Sequence, residues 1–220
     1  MLAALLRSFP NKLNRGNIFH PESASLRHIC NMTKTALVIL AEGAEEMEFV
    51  IAADVLRRAG ITVTVAGLSG SGPVKGSRDI VFVPDASLES VASSKFDVVV
   101  LPGGLGGSNA MGASSVVGDL LRAQEANGGL IAAICAAPTA LAKQNIAVGK
   151  SLTSYPAMKP QLVDKYNYVE GKNVVQDGNL ITSRGPGTAY DFALKIAEEL
   201  AGLEKTQEVA KGMLLSYPTN

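Results

Sequence analysis

Several residue types are scarce in this chain of 220 residues, and each scarcity excludes a kind of chemistry. The two cysteines, Cys30 and Cys135, have no Cys-x-x-Cys spacing, which argues against a disulfide framework and fits a reducing compartment. Both histidines, His20 and His28, precede residue 35, and no cysteine–histidine cluster has the spacing of a metal site. We therefore expect no metal and no cofactor.

The chain also lacks a net charge and long apolar runs. The 20 basic and 20 acidic residues cancel, so the sequence gives no strong signal for binding nucleic acid or an anionic membrane. No apolar run approaches the roughly 18 to 20 residues that a membrane-spanning helix needs. Because 47% of the residues are hydrophobic, the chain has enough apolar side chains for one domain with a buried core.

The first 34 residues differ in composition from the rest. They begin with a short apolar stretch and contain a single acidic residue, Glu22, against five basic residues, which are Arg7, Lys12, Arg15, Arg27 and Lys34. This composition resembles a mitochondrial targeting segment, and the alternative is an untargeted extension of a cytoplasmic protein. We expect residues 1–34 to be an N-terminal extension and residues 35–220 to form one α/β domain.

Short apolar runs alternate with amphipathic ones from residue 35 onward. The runs TALVILA, ITVTVAG, DVVVLPGG, GGLIAAIC and NLITSRGPG have the pattern of strands that are buried on both faces. Helices are predicted at about 45–59, 108–126, 138–144, 187–201 and 205–214, and Asp177-Gly178 predicts a hairpin. The alternation favours a mainly parallel sheet with helices on both faces.

The glycine-rich loops that follow these strands do not match a nucleotide-binding motif. Gly104 and Gly106 are followed by Asn109 where a dinucleotide-binding motif needs a third glycine. The GKS stretch at 149–151 lacks the first glycine of a phosphate loop, and Gly-x-Ser-x-Gly is missing. We interpret these loops as tight turns.

Cys135 is the candidate for chemistry, because it lies at a predicted strand-to-helix turn with Pro138 near the first helical turn. Backbone N–H groups and the positive end of a helix dipole would there favour a thiolate. The local sequence Ala-Ala-Ile-Cys-Ala-Ala is equally typical of a small buried hydrophobe. Both interpretations stay open on the local sequence.

Glu48 is the candidate proton carrier, because a catalytic cysteine normally uses a histidine and residues 35–220 contain none. Glu48 belongs to a helical stripe that is otherwise apolar, formed with Ile51, Ala52, Val55 and Ala59, so we expect it to face inward. Burial would raise its pKa and allow it to donate a hydrogen bond to a thiolate. The neighbouring Glu45 and Glu46 are interpreted as ordinary acidic residues at a helix start.

The chain resembles the Parkinson-disease protein deglycase family of the ThiJ/PfpI superfamily over residues 35–214. The matching stretches are ALVILAEGAEEMEFVIAADVLRRAGITVTVAGL, SRD, PDASLE, DVVVLPGG, GLIAAICAAPTAL and LITSRGPGT. The resemblance implies a flavodoxin-like three-layer sandwich and a homodimer. It also implies that Cys135 is a nucleophile on a sharp turn, that Glu48 is the acid bonded to its sulfur, and that the Gly104 and Ala136 N–H groups hold an oxyanion.

The activities implied by the resemblance give three hypotheses. The first is a cofactor-free glyoxalase or deglycase that acts on small dicarbonyls or glycated groups, converts methylglyoxal to lactate and protects against oxidative stress. The alternative is a redox sensor or stress chaperone that works through a sulfinic acid at Cys135 without significant turnover. An amidase or protease is the third, and it would lack a histidine in the domain.

The chain departs from its apparent relatives at several positions. Tyr155 lies where close relatives carry a histidine, and Gly76 and Val83 lie where some carry further cysteines. Arg78, Arg184 and Tyr155 are candidate substrate or anion contacts. The two arginines are also candidate dimer contacts, and exposed surface salt bridges are the alternative for both.

The first predicted helix has more apolar surface than one core contact needs. Phe49, Val50 and Ala53 lie outside the Glu48 stripe. We expect a dimer interface of roughly 800 Å² per partner on this face, and the alternative is that another helix of the same chain covers it.

Overall fold

The computed structural model describes residues 33–217. The predicted targeting segment, residues 1–34, lies outside the described residues except for Thr33 and Lys34, and Cys30, His20 and His28 lie outside with it. The targeting function and the domain boundary therefore stay predictions.

Strands and helices alternate along the described chain. The strands are β1 (Thr35–Leu40), β2 (Thr62–Gly67), β3 (Val74–Lys75), β4 (Val81–Phe82), β5 (Ala86–Ser87), β6 (Val98–Leu101), β7 (Leu130–Ile134), β8 (Ser151–Leu152), β9 (Asn167–Tyr168), β10 (Val174–Asp177) and β11 (Leu180–Ser183). The α-helices are α1 (Glu46–Arg58), α2 (Leu88–Val91), α3 (Leu105–Ala113), α4 (Ser115–Ala126), α5 (Pro138–Gln144), α6 (Ala189–Ala201) and α7 (Leu203–Gly212), and short 3₁₀ helices cover Pro156–Gln161 and Pro186–Thr188.

Seven of these strands form one sheet in the order β10-β11-β7-β6-β1-β2-β5. All neighbouring pairs are parallel except β10 and β11, which form the hairpin predicted at Asp177-Gly178, with Asp177 opposite Leu180. The chain therefore has the mainly parallel, flavodoxin-like α/β fold that the sequence predicts.

Strand β1 shows how the sheet is covered on both faces. Ala36, Val38 and Leu40 belong to a core cluster with α1, α6 and α7. Leu37 and Ile39 belong to a second cluster with residues of α4 and α5. Side chains alternate between faces along a strand, so a continuous apolar run is required when both faces are buried. The result is a sandwich of three layers.

The predicted helix at 108–126 is wrong as a single element. The structure has α3 and α4 there, separated at Ser114, whose backbone is extended with φ −83° and ψ 121°. The Ser114 hydroxyl accepts a hydrogen bond from the Val117 N–H at 3.3 Å and so caps α4. The pairs β3–β4 and β8–β9 escaped prediction because each strand has two residues, which is too short for a hydrophobic period.

The apolar face of α1 is covered more by this chain than the sequence suggests. Phe49 is buried and packs edge-on against Phe82, with ring centroids 4.9 Å apart, and Ala53 is buried as well. Val50 and its neighbour Met47 remain 45% and 52% exposed. Phe49 and Ala53 therefore belong to the core of the chain and not to a free surface. Among the described helices, none is long and apolar enough to span a membrane.

Replacing the fully buried Phe192 of α6 by alanine should destabilise the fold by about 3–5 kcal/mol, because it leaves a cavity between α6 and the sheet. Tyr190→Ala, two residues earlier on the same helix and 40% exposed, is the matched control and should cost about 0.5 kcal/mol or less. Urea unfolding midpoints measure both. Equal losses would contradict the assignment of this face of α6 to the core.

Candidate active site

The loops after β1, β6 and β7 meet at the carboxyl end of the sheet. The chain passes from β1 to β2 on one side and returns to β6 on the other, so the order of strands reverses between β1 and β6. Sites in open α/β sheets form at this crevice, because adjacent loops there turn away from each other. The Glu45 N–H donates to the Gly103 carbonyl at 3.1 Å and joins the first two loops.

Cys135 occupies a strained position between β7 and α5. Its φ is +62°, in the left-handed region that a residue with a side chain seldom adopts. Two backbone hydrogen bonds hold it there: its N–H donates to the Ser183 carbonyl at 3.0 Å, and its carbonyl accepts from the Tyr155 N–H at 2.8 Å. Pro138 is the first residue of α5, as predicted. The thiol is thus presented on a sharp strand-to-helix turn.

Glu48 lies in the first turn of α1 and is fully buried, with the rest of its predicted stripe. Its Oε2 accepts a hydrogen bond from the Gly103 N–H at 2.8 Å. Its Oε1 is buried and has no hydrogen-bond partner among the described residues, and the Cys135 thiol lies close enough to affect the pKa of the same carboxyl group. Glu45 caps the helix by accepting the Glu48 N–H at 2.8 Å.

Gly103 separates the carboxyl group from the cysteine. A Cβ on Gly103 would lie 2.5 Å from Glu48 Oε2, 2.6 Å from Cys135 Cβ and 2.8 Å from the Ile134 carbonyl oxygen, all closer than real contacts. Only glycine therefore allows the Gly103 N–H to reach the acid. Sequence analysis did not single out this residue, although the Pro-Gly-Gly stretch directly after a buried strand is the signal that marks it.

The acid and the thiol change each other's titration. Burial raises the pKa of Glu48 to about 7 and the charge of Glu45 adds to this rise, while hydrogen bonds from Cys135 and Gly103 oppose it. Burial also raises the pKa of Cys135 to about 12, and the Glu48 carboxylate adds to the rise. The nearby N–H groups of Gly104 and Ala136 oppose it, because N–H dipoles beside the sulfur favour its charged form.

These pKa shifts favour a protonated Cys135 thiol, whereas its position at the start of a helix predicts a thiolate. While Glu48 is ionised, its charge and the burial of the sulfur keep the Cys135 thiol protonated. When the proton moves to Glu48, that charge disappears and the two N–H donors remain beside the sulfur. The pair thus holds one proton in either of two places, and it titrates as a unit. Such a pair can activate a nucleophile and then carry its proton to a substrate.

The remaining predicted residues lie at different places around this pair. Tyr155 is 48% exposed and is joined to Cys135 through its backbone N–H. Arg184 is half-buried and directly follows Ser183, whose carbonyl binds the Cys135 N–H. Arg78 is exposed, and its guanidinium donates to the Ser77 carbonyl at 3.0 Å. No hydrogen bond among residues 33–217 joins Arg78 to the cysteine or to Glu48.

Glu46 has a structural function that the sequence analysis missed. It is 5% exposed, and its carboxylate accepts hydrogen bonds from the Ser77 hydroxyl at 2.9 Å and from the Arg78 N–H. A Cβ on Gly76 would overlap this carboxylate. Glu46 therefore anchors the loop that carries Arg78 to the start of α1. A buried acid cannot be distinguished from an exposed one by its position at a helix start.

Within the described part of the chain, no three His, Cys, Asp or Glu side chains come close enough to hold a metal ion.

The glycines of the loop after β6 allow close packing against other segments. A Cβ on Gly104, whose φ is +82°, would overlap the Gly43 carbonyl oxygen.

Comparison with known proteins matches residues 34–199 to the DJ-1/PfpI family. The chain is 77% identical over 186 residues to Protein dj-1beta of Drosophila melanogaster, covering 84% of this chain and 100% of that protein. The crystal structure of Drosophila melanogaster DJ-1beta superposes with a TM-score of 0.84 over 84% of this chain and 100% of that one.

Two more distant relatives bear names that concern chemistry. Glutathione-independent glyoxalase DJR-1.2 of Caenorhabditis elegans is 42% identical over 185 residues, covering 83% of this chain and 97% of that protein. A structure described as Toxoplasma gondii DJ-1, oxidized, is 32% identical with a TM-score of 0.80 and covers 84% of this chain and 100% of that one.

Glu48→Gln should change how stability depends on pH. The pKa of Glu48 rises from its ordinary 4.5 to about 7 on folding, so the folded state binds the proton more tightly than the unfolded state. The wild type should therefore lose stability as pH rises from about 4.5 through 7, by about 3 kcal/mol at ~1.4 kcal/mol per pKa unit. The glutamine variant has no such loss.

Urea unfolding of wild type and variant between pH 4.5 and 8 measures this difference. Relative to wild type, Glu48→Gln should become more stable as the pH rises. Glu89→Gln removes an exposed glutamate and should leave the pH profile unchanged. Parallel profiles for wild type and Glu48→Gln would contradict a raised pKa.

Proposed function

Because the chain belongs to the DJ-1/PfpI family, we propose that it is a glutathione-independent glyoxalase, or a related deglycase, that acts on 2-oxoaldehydes such as methylglyoxal. The observation that carries the proposal is the buried Glu48 carboxyl group beside Cys135, with both side chains packed against Gly103. The 42% identity to the C. elegans glyoxalase along 97% of that protein supports it.

The first step is addition of the sulfur to the aldehyde. The Cys135 thiol gives its proton to the Glu48 carboxylate, and the thiolate attacks the aldehyde carbon of methylglyoxal. The N–H groups of Gly104 and Ala136 bind the developing oxyanion, since they already donate toward the sulfur. Return of the proton to this oxygen gives a hemithioacetal and leaves Glu48 ionised.

The second step moves a proton between adjacent carbons. Glu48 removes the hydrogen from the carbon that carries the sulfur, and the resulting enediol takes a proton at the neighbouring carbon. This converts the hemithioacetal into a lactoyl thioester on Cys135. Water then hydrolyses the thioester, which releases lactate and restores the thiol. A carboxyl group with a pKa of about 7 suits both proton removal and proton return near neutral pH.

A homodimer forms part of the proposal, with the exposed Met47 and Val50 of α1 available for contact with a second copy. An amidase or protease is less well supported, because the only histidines, His20 and His28, lie outside residues 35–220. Mitochondrial location is proposed from the composition of residues 1–34 alone.

Cys135→Ala should lower the rate of lactate formation from methylglyoxal without glutathione by at least ~10³-fold, because the nucleophile is lost. Cys30→Ser, the matched cysteine control, should keep the wild-type rate. For Glu48→Gln we expect a loss of about 10²-fold or more in kcat with little change in KM, because the acid acts in the transition state. Turnover that survives Cys135→Ala would refute the mechanism.

Redox sensing is the second candidate function, favoured by a different observation. Cys135 is partly exposed and is the only cysteine among the described residues, so it has no resolving thiol there. Two molecules of hydrogen peroxide would oxidise its thiolate to a sulfinate and release two molecules of water. The unpartnered Oε1 of Glu48, when protonated, can donate a hydrogen bond to a sulfinate oxygen.

Mass spectrometry after mild peroxide treatment tests this candidate. We expect a stable gain of two oxygen atoms at Cys135, and Glu48→Gln should reduce the yield because it alters the hydrogen bonding around the sulfur. Oxidation that passes directly to the sulfonic acid would argue against a stabilised sulfinate. Rapid methylglyoxal turnover by the same preparation would favour catalysis as the main function.

A further inference from the structure

A small cavity lies between the segment after β8 and the loop after β11. It has a volume of about 280 Å³, and its walls include Thr153, Lys159, Tyr168, Glu170 and Arg184. A second cleft of about 240 Å³ shares Arg184 with it and extends to Tyr155. Both are distinct from the space between Glu48 and Cys135.

Arg184 is the cation in this cavity without a partner for its charge. Its backbone N–H donates to the Thr188 hydroxyl at 3.2 Å, but its guanidinium makes no hydrogen bond or ion pair among residues 33–217. Its positive charge interacts with Glu170 only at longer range. A half-buried guanidinium with free donors is suited to bind a carboxylate or a phosphate with two parallel hydrogen bonds.

Thr153 gives a second and independent indication of a ligand. The residue is fully buried, and its hydroxyl oxygen has no hydrogen-bond partner within the described chain. Its backbone N–H donates to the Thr182 hydroxyl at 2.9 Å, so the unmet hydroxyl is a separate polar group. Buried hydroxyl groups without partners are rare, and one in the wall of a cavity indicates a polar occupant.

The other charges of the cavity leave it net positive. Lys159 forms an ion pair with Glu170, and its ammonium group also lies 5.7 Å from the centre of the Tyr168 ring. The hydrogen bond and the charge of Lys159 lower the pKa of Glu170, and Arg184 contributes to the same effect. Glu170 is therefore ionised at neutral pH and neutralises one of the two cations. One positive charge remains, on Arg184.

Backbone hydrogen bonds join the segments that line this cavity to Cys135. Cys135 donates to the Ser183 carbonyl, one residue before Arg184, and accepts from the Tyr155 N–H, two residues after Thr153. The cavity is therefore lined by residues of the two segments that hold the backbone of Cys135.

We propose that Arg184 and the Thr153 hydroxyl, with Lys159 nearby, form a subsite for the phosphate or carboxylate group of a substrate whose aldehyde reacts at Cys135. The inference rests on the proposed function and deepens it: the preferred substrates are 2-oxoaldehydes that carry an anionic group. Tyr155 lines the neighbouring cleft, and its backbone N–H binds the Cys135 carbonyl.

Binding can be measured without turnover. In Cys135→Ala protein titrated with inorganic phosphate, the amide NMR signals of Arg184, Gly185 and Tyr155 should shift and saturate. Adding Arg184→Gln should weaken the affinity by ~10-fold or more. The matched control Arg122→Gln, an exposed arginine paired with Asp119 on α4, should leave the affinity unchanged.

A third variant keeps the test decisive if Arg184→Gln unfolds. Glu170→Gln removes the carboxylate that competes for Lys159 and Arg184, so phosphate should bind several-fold more tightly. Phosphate binding that does not saturate, or that is unaffected by both substitutions, would overturn the subsite. Neither result depends on whether the protein is a glyoxalase.

Kinetics with a matched pair of substrates then assign the source of the anion. Wild-type kcat/KM for 3-phosphooxy-2-oxopropanal should exceed that for 3-hydroxy-2-oxopropanal by ~10-fold, and Arg184→Gln should reduce this ratio to about 1. If phosphate binds but the two substrates react equally well in the wild type, the subsite belongs to a free anion and the substrate assignment is overturned. Absence of turnover with both substrates would instead refute the proposed function.

Discussion

The hydrogen bond from the Gly103 N–H to Glu48 is the interaction on which the site depends. It joins the loop after β6 to the first turn of α1, and the lack of a side chain on Gly103 lets Cys135 approach from the other side. Placing a carboxyl group in the interior is costly unless its oxygens have partners. Here the Gly103 N–H supplies a partner for one oxygen, and the remaining cost appears as a raised pKa.

The same burial that holds the pair together also determines its chemistry. Low exposure disfavours charge on the acid and on the sulfur alike, so the pair retains one proton near neutral pH. The N–H groups of Gly104 and Ala136 favour the form with charge on the sulfur. A domain without histidine can in this way carry a proton with a carboxyl group alone.

Neighbouring segments fix the geometry of this pair. Glu45 caps α1 through the Glu48 N–H, and Glu46 binds the loop at Ser77 and Arg78. On the other side, the Ser183 carbonyl and the Tyr155 N–H hold the backbone of Cys135 at positive φ. Strain at a residue of this kind persists only where surrounding contacts determine its conformation. The three glutamates at the start of α1, Glu45, Glu46 and Glu48, therefore differ sharply in function although they look alike in sequence.

The sequence by itself determined the alternation of strands and helices, the inward position of Glu48 and the turn at Cys135, because each follows from a local pattern of a few residues. It misassigned Phe49 and Ala53 to a free surface, since covering residues such as Phe82 come from distant parts of the chain. Three features become visible only in the folded chain: Gly103 separates the acid from the thiol, Glu46 is buried, and Arg184 and Thr153 share a cavity. Glu48 and Gly103 are 55 positions apart, and no local periodicity encodes a contact at that separation. The raised pKa of the Cys135 thiol was likewise decided by burial and by the nearby acid, which the fold brings to it.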